Sequence, residues 1–167
     1  MQNMEKLRTW ATRVVVAPTA RQGKRRSMQK AEKTGARLLN TFEKMIGRHE
    51  LVKSVRGKGL MIGIEFGAPR SLALKASWNL LETANSGLFC QLIVIPLLKD
   101  HRILTQVAGH GNHTIKLLPP FIISDSDCDW IEKSFDAVIA DAHRVPGAIW
   151  SLGKTLIENA AKARARG

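Results

Sequence analysis

A chain of 167 residues with a formal net charge of +12 has the size of one domain with tails, and it can bury a hydrophobic core. Its two cysteines, Cys90 and Cys128, belong to no CxxC or Cys/His spacing, which argues against a disulfide framework and a structural zinc site. No apolar run approaches the ~20 residues of a membrane span. We therefore expect a cytoplasmic protein with free thiols and no membrane partner.

The positive charge is concentrated at the two ends of the chain. Residues 1–30 contain eight Lys or Arg residues and one acidic residue, and residues 151–167 contain four Lys or Arg residues and one acidic residue. The middle of the chain is therefore close to neutral. Basic ends can bind nucleic acid or an anionic surface, and an Arg-rich start is also compatible with a transit-like leader. We favour solvated tails, and we assign residues 1–29 as a basic arm without a defined role.

Residues Lys30–Arg48 are predicted to form an amphipathic helix, because their apolar side chains recur at helical spacing while the charged ones lie mostly opposite. Gly47 is a suitable stop for this helix. The predicted buried stripe consists of Ala31, Gly35, Leu38, Leu39, Phe42, Met45 and Ile46.

The stretch Val55–Phe66, VRGKGLMIGIEF, is predicted to be a glycine turn followed by a strand. Because strand side chains alternate, one face carries only apolar residues and the other carries Met61, Gly63 and Glu65. Gly63 leaves a gap that another backbone could approach. The glycine spacing does not match a dinucleotide fingerprint, since it precedes a strand instead of opening a helix. The predicted apolar face consists of Leu60, Ile62, Ile64 and Phe66.

Between residues 71 and 118 we predict one helix and three strands. Ser71 caps the helix, which runs to about Asn85 and buries Trp78, Leu81, and Ala84 or Asn85. The apolar run Gln91–Leu97 is too short for a buried helix, so it is interpreted as a strand; Pro96 can join a sheet only at an edge or at a strand end. The other two predicted strands are Ile103–Val107 and Thr114–Leu118.

Two helices complete the chain. Ser124 or Ser126 is expected to cap the first, and acids in its first turn suit the positive end of the helix dipole. After the linker Val145–Gly147, a last helix is predicted over Ala148–Ala163. The fold class is therefore α+β, a small mostly antiparallel sheet with helices packed on one side. The two predicted buried stripes are Cys128, Ile131, Phe135, Val138, Ile139 and Ala142, and then Ile149, Leu152, Leu156 and Ala160.

Two of these stretches resemble class III aminotransferases, the pyridoxal-phosphate enzymes that include ornithine, acetylornithine and putrescine aminotransferases. Val55–Phe66 resembles the segment that opens their C-terminal small domain, and Thr114–Ser124, TIKLLPPFIIS, resembles a late strand with a Pro-Pro-apolar run. The resemblance covers about residues 30–145. It implies a small domain there, of the kind found in fold-type I aminotransferases. Residues 146–167, beyond the resemblance, are assigned from their own pattern as a linker, a helix and a basic tail.

The resemblance also implies an activity, a cofactor and an assembly. The full-length family uses pyridoxal phosphate to transfer an amino group between an amino donor and an oxo acid, and its members are homodimers. The lysine that holds the cofactor lies in the family's large domain, upstream of the region matched here. We therefore expect a C-terminal domain or fragment, inactive alone, with no catalytic or cofactor-binding residues and no pyridoxal phosphate bound by this chain alone.

Lys116 is the one candidate substrate-binding residue. It lies three residues before Pro119, where the resembled family often has an arginine that pairs with the substrate carboxylate. A lysine offers a point charge and cannot reproduce the planar fork of a guanidinium. Lys116 is therefore either a substrate-binding residue or an ordinary polar residue on the exposed face of its strand.

Two other interpretations are weaker. His110 and His113 have a spacing compatible with two metal ligands, but no third ligand stands out, so we predict no metal site. A free-standing α+β module that uses its basic arms to hold nucleic acid or an acidic partner is the alternative function. Nucleic acid is disfavoured as a partner, because the basic tails lack an aromatic platform on which bases could stack. A regulatory amino-acid-binding domain is a third hypothesis.

Overall fold

The computed structural model describes residues 21–164. Four antiparallel strands form one sheet in the order β1-β2-β4-β3. The elements, in chain order, are α1 (Arg21–Arg48), β1 (Val52–Lys58), β2 (Met61–Phe66), α2 (Leu72–Ala84), α3 (Leu88–Lys99), β3 (Gln106–Val107), β4 (Thr114–Leu117), α4 (Asp125–Ala142) and α5 (Ala148–Arg164).

One face of the sheet lies on the hydrophobic core. Ile62 pairs with Leu117, and Ile64 pairs with Ile115; all four side chains are buried. Helix α1 packs against β1 and β2, whereas α3 packs against β3 and β4, and α2, α4 and α5 surround these two helices. The predicted α+β architecture, with helices on one side of a small antiparallel sheet, is confirmed.

The glycine-rich stretch forms a hairpin, so the prediction of a turn from Val55 to Gly59 was wrong. Strand β1 extends through Gly57, which pairs with Ile62, and only Gly59 and Leu60 connect it to β2. Gly59 has a φ of +56°, a conformation that favours glycine. Pairing with β2 supplies the hydrogen bonds that hold glycine-containing backbone in a strand, and local sequence does not reveal that partner.

The predicted strand Gln91–Leu97 is instead part of helix α3, which also contains Pro96. This helix packs against the sheet and three other helices, and its exposed side also carries apolar residues, Ile95 and Leu98. A continuous apolar run has no period that separates a buried helix from a buried strand. Pro96 is tolerated near the C-terminal end of α3, where its carbonyl accepts from the Asp100 N–H at 2.9 Å. Of the predicted strand Ile103–Val107, only Gln106–Val107 is observed.

Helical periodicity located α1 and α4 well. Helix α1 begins at Arg21, so nine residues of the assigned basic arm are helical, and the rest of that arm lies outside the described residues. Of its predicted stripe, Leu38, Phe42 and Met45 are buried, but Ile46 is exposed. All six residues of the predicted α4 stripe are buried, and Ser124 caps the helix in a capping box with Asp127.

The predicted stripes of α2 and α5 required correction. In α2, Trp78 and Leu81 are buried as predicted, and Leu74 joins them instead of Ala84 or Asn85. In α5, Ile149 is buried, but Leu152, Leu156 and Ala160 are exposed, and Trp150 and Gly153 face the core in their place. Short amphipathic helices allow two neighbouring stripes, and the helices packed against α5 select one of them.

Within residues 21–164, no single helix is both long and apolar enough to span a membrane. Leu72–Ala84 and Leu88–Lys99 reach the required length and composition only together, as a pair bent by 102°.

Glu50, in the loop before β1, binds the two residues that precede helix α2. Its carboxylate accepts hydrogen bonds from the backbone N–H groups of Arg70 and Ser71, at 2.6 and 3.0 Å, and from the Ser71 hydroxyl at 2.6 Å. Ser71 occupies the predicted N-cap position, but its side chain makes no capping bond. The bonds from Ser71 and Arg70 hold the pKa of Glu50 at about 2, well below its ordinary value of 4.5.

We expect Glu50→Gln to destabilise the protein at neutral pH and to change its response to acid. Because the pKa of Glu50 is lowered by folding, its stabilising effect is present above about 4.5 and is lost as the pH falls towards about 2. Urea unfolding at pH 7, 4.5 and 3 should therefore show the two proteins converging as the pH falls. Glu43→Gln, an exposed change on α1, is the matched control. A gap between wild type and Glu50→Gln that does not depend on pH would contradict this assignment.

Candidate functional site

The face of the sheet that points away from the core is polar and lies open in the described part of the protein; we call it the outer face. The strand register arranges its side chains in rows that cross the sheet. Arg56 pairs with Gly63, Gly63 with Lys116, and Lys116 with Gln106. We call these four residues the cationic row. It brings together residues that lie up to 60 positions apart in the chain.

Lys116 lies on the outer face, as the alternation with Ile115 and Leu117 predicts. It is half-buried, whereas every other lysine whose side-chain burial is described is exposed. Its ammonium group has no ion-pair partner within the described residues. The Thr105 hydroxyl donates to the backbone carbonyl of Lys116 and holds the strand from the β3 side. Lys116 is thus an unpaired cation on a firmly hydrogen-bonded strand.

Gly63 lies on the sheet between Arg56 and Lys116, the two cations of the row. A Cβ atom at Gly63 would lie 3.3 Å from Cγ2 of Thr114 and 3.8 Å from Cγ of Arg56. The space above Gly63 is therefore bordered by side chains of the neighbouring strands. The predicted close approach of another backbone is not made by any strand beyond those that pair with β2 in the described part of the chain.

Arg56 is held beside Gly63 by an ion pair on the outer face. Its guanidinium lies 3.0 Å from Oε2 of Glu65, and the same oxygen accepts from the Ser54 hydroxyl at 2.6 Å. The Ser54 bond first and the Arg56 bond second lower the pKa of Glu65 below its ordinary value. Glu65 thus neutralises one of the two cations that border Gly63 and leaves the other, Lys116, unpaired.

Large apolar side chains lie exposed at one end of the outer face. Leu118 directly follows Leu117, the partner of Ile62, so it lies beside Met61. Met61 and Leu118 are 62% and 54% exposed, and Leu104, two residues before Gln106, is 78% exposed. We call these three residues the apolar row. Clustered apolar surface of this kind marks an interaction surface more often than isolated exposed residues do.

The two histidines with ligand-like spacing are not brought together as a metal site. His110 is exposed, whereas His113 has its Nε2 atom 3.2 Å from Glu82 and its ring centroid 5.5 Å from that of Trp78. Among residues 21–164, no three His, Cys, Asp or Glu side chains are arranged to hold a metal ion.

The chain belongs to the class III aminotransferase family: the family described as "Aminotransferase class-III" matches residues 15–139. Aminotransferase PigE from Serratia sp. (strain ATCC 39006) is 26% identical over 138 residues, which cover 65% of this chain and 16% of that protein. Ornithine aminotransferase from Bacillus cereus (strain Q1) is 30% identical over 114 residues, which cover 65% of this chain and 23% of that protein. The chain thus spans only about a fifth of the length of these relatives.

Solved structures of transaminases share the fold. A transaminase with L-ala superimposes with a TM-score of 0.57 at 22% identity, over 72% of this chain and 26% of that one. A thermostable 6-fold mutant of the omega transaminase from Pseudomonas jessenii gives a TM-score of 0.56 at 18% identity, over 71% of this chain and 24% of that one. Each of these relatives and structures is an aminotransferase or a transaminase, and none supports a free-standing binding module with basic arms.

Sequence reasoning singled out Lys116 as a candidate but not Arg56, which the structure places in the same row. The signal for Arg56 was present, because the polar residues Ser54, Arg56 and Lys58 alternate with Val55 and Gly57 as on a strand. The interpretation of the two glycines as a turn concealed that alternation. The apolar row has no sequence signal, because its members come from three separate segments.

Proposed function

We propose that this chain forms the substrate-side domain of a class III aminotransferase. The enzyme would transfer an amino group between an amine or amino acid and an oxo acid, as a cytoplasmic homodimer. Membership of the family supports this proposal, and so does the fold shared with transaminases. The single observation that carries it is the unpaired Lys116 on the outer face, at the position where the resemblance implies a substrate-binding cation.

Pyridoxal phosphate does not fit the cavity that lies between α3, α4 and α5. This cavity, of about 170 Å³, is bordered by Asp100 and Asp141, whose charges would repel the cofactor's phosphate. No lysine lines this cavity. Pyridoxal phosphate supplies an electron sink when it is bound in such an enzyme. We infer that the residues that hold it belong to a larger part of the enzyme.

The apolar row supports contact with that larger part. The relatives are four or more times as long as the matched region, so their remaining residues offer a partner of the required size. Covering Met61, Leu104 and Leu118 would remove exposed apolar surface from water, at about 25 cal/mol per Å² buried. The neighbouring cationic row would then lie at the edge of the contact, facing the place where substrate enters.

Lys116 would act there by pairing with a carboxylate of the substrate. Partial burial strengthens such a pair, because a cation that is not surrounded by water gains more from an opposite charge. A lysine makes this contact through a single point charge, so it orients a carboxylate less strictly than an arginine does. A substrate without an α-carboxylate, such as a simple diamine, would gain nothing from Lys116.

The test joins this chain to the cofactor-bearing part of an ornithine aminotransferase and measures transamination. We expect Lys116→Ala to lower kcat/KM for carboxylate-bearing amino donors by about 10- to 150-fold, the effect of losing a charge-assisted contact of about 1.5–3 kcal/mol. Simple diamines should be far less affected. Lys116→Arg should retain or improve the turnover of amino acids, because it restores the planar fork.

Lys133→Ala, which removes an exposed lysine from α4, is the control for net charge. It should leave both classes of substrate unchanged. If Lys116→Ala and Lys116→Arg have equal and small effects on amino acids and on diamines, Lys116 is an ordinary surface residue and the proposed role is wrong.

A further inference from the structure

We propose that Arg56 and Lys116 together hold one carboxylate group above Gly63, which makes Arg56 a second substrate-binding residue that determines specificity. When no substrate carboxylate is bound, Glu65 forms an ion pair with Arg56. This inference rests on the proposed function, because it concerns the same substrate.

The geometry follows from the register of three strands. Arg56 and Lys116 pair with Gly63 from opposite sides, and neighbouring strands lie about 4.8 Å apart. The two cationic residues are therefore about 10 Å apart at the backbone, with only the hydrogen atoms of a glycine between them. Two long side chains at this separation can converge on one small group, and any side chain at position 63 would stand in its way.

The charges favour an anion at this place. Arg56 and Lys116 are both cationic, Gly63 adds no charge, and Gln106 at the end of the row can donate through its amide. Glu65 is the acid of the outer face, and its ion pair with Arg56 is exposed, with 65% of the Arg56 side chain and 42% of the Glu65 side chain open to solvent. Exposed pairs are weak, so an incoming anion can compete with Glu65.

The chemistry of the two cations suits a carboxylate. A guanidinium presents parallel N–H groups that match the two oxygens of a carboxylate, and Arg56 already binds one carboxylate oxygen of Glu65 through a single N–H group. The ammonium of Lys116 can add a contact from the opposite side. An incoming carboxylate would thus replace the Glu65 carboxylate on Arg56 and would gain Lys116 as a further partner.

The experiment titrates the isotope-labelled 167-residue chain with propionate and follows its backbone amides by NMR. We expect shifts centred on Gly63 and on the neighbouring residues of β2 and β4. Arg56→Gln and Lys116→Gln should each weaken binding by about tenfold, as expected for the loss of a charge-assisted contact at a partly exposed site. Gly63→Val should also weaken it, with a thermal melt to establish that the variant folds.

Glu65→Gln gives the sharpest test, because it should strengthen binding. Removing the competing carboxylate frees Arg56, and the loss of an exposed ion pair corresponds to about a two- to fivefold gain in affinity. Lys154→Gln and Glu158→Gln alter an ion pair on α5, on the other side of the core, and change the net charge by the same amounts. Neither should affect binding, which separates a local site from the general attraction of a basic protein for anions.

Three results would overturn the inference: no effect of Arg56→Gln, weaker binding in Glu65→Gln, or inorganic phosphate that binds above Gly63 more tightly than propionate does. The titration needs neither cofactor nor turnover, so it is independent of the joined enzyme. If Lys116 controls turnover in the joined enzyme but Arg56→Gln does not change the affinity for propionate, only this inference fails. If propionate binds as described and the joined enzyme is inactive, only the proposed function fails.

Discussion

Replacing Trp150 with alanine should lower the free energy of unfolding by about 3–5 kcal/mol, the largest effect that we expect from any single substitution discussed here. The Trp150 side chain is 7% exposed, and its ring centroid lies 5.7 Å from that of Phe89. Its Nε1 donates to the carbonyl of Ala142 at 2.9 Å. Alanine would leave a cavity between α5 and α3 and an unpaired carbonyl at the end of α4.

Urea unfolding at neutral pH measures this loss. Leu152→Ala is the matched control, because Leu152 lies two residues further along α5 but is 36% exposed. Its truncation should cost less than about 1 kcal/mol. Sequence periodicity placed Leu152 and Leu156 in the core, so equal losses for the two variants would favour that stripe and contradict the packing of α5 through Trp150.

Replacing Gly35 with alanine should cost about 3 kcal/mol, although alanine is the better helix former by about 1 kcal/mol. A Cβ atom at Gly35 would lie only 1.9 Å from the carbonyl oxygen of Gly59 and 2.3 Å from its carbon. These are backbone atoms of the β1–β2 turn, so no flexible side chain can move aside. The hairpin would have to shift away from α1, and the outer face that it carries would shift with it.

Gly47→Ala is the control for Gly35→Ala, since it lies on the same helix and nothing stands within 4 Å of its Cβ position. It should be neutral or stabilising by up to about 1 kcal/mol. If α1 and the hairpin touch through Gly35, thermal or urea unfolding should show that Gly35→Ala is less stable than the wild type and that Gly47→Ala is equally or more stable. If Gly35→Ala is as stable as Gly47→Ala, the close packing of α1 on the turn is wrong.

Local periodicity was sufficient where an element has one buried face. The stripe of α4 and the alternation in β2 were predicted correctly, because each element meets the core on one side and is more exposed on the other. In β4, Lys116 is half-buried opposite the buried Ile115 and Leu117, but Thr114 on the same side as Lys116 is also buried. The same reasoning failed for α3, which carries apolar residues such as Ile95 and Leu98 on its exposed side as well as on its buried side and therefore shows no period. It also failed for Gly57, whose strand conformation depends on pairing with Ile62 in the next strand.

The sequence by itself determined the α+β class, the family and the outward position of Lys116, because these depend on composition, motifs and alternation within single segments. Only the tertiary structure placed Arg56, Gly63 and Lys116 in one row, packed Gly35 against the turn at Gly59 and turned Trp150 into the core. Each of these contacts joins segments that are separate in the chain. Such pairings depend on the register of the sheet and on the packing of whole helices, and neither can be predicted from a short stretch of sequence.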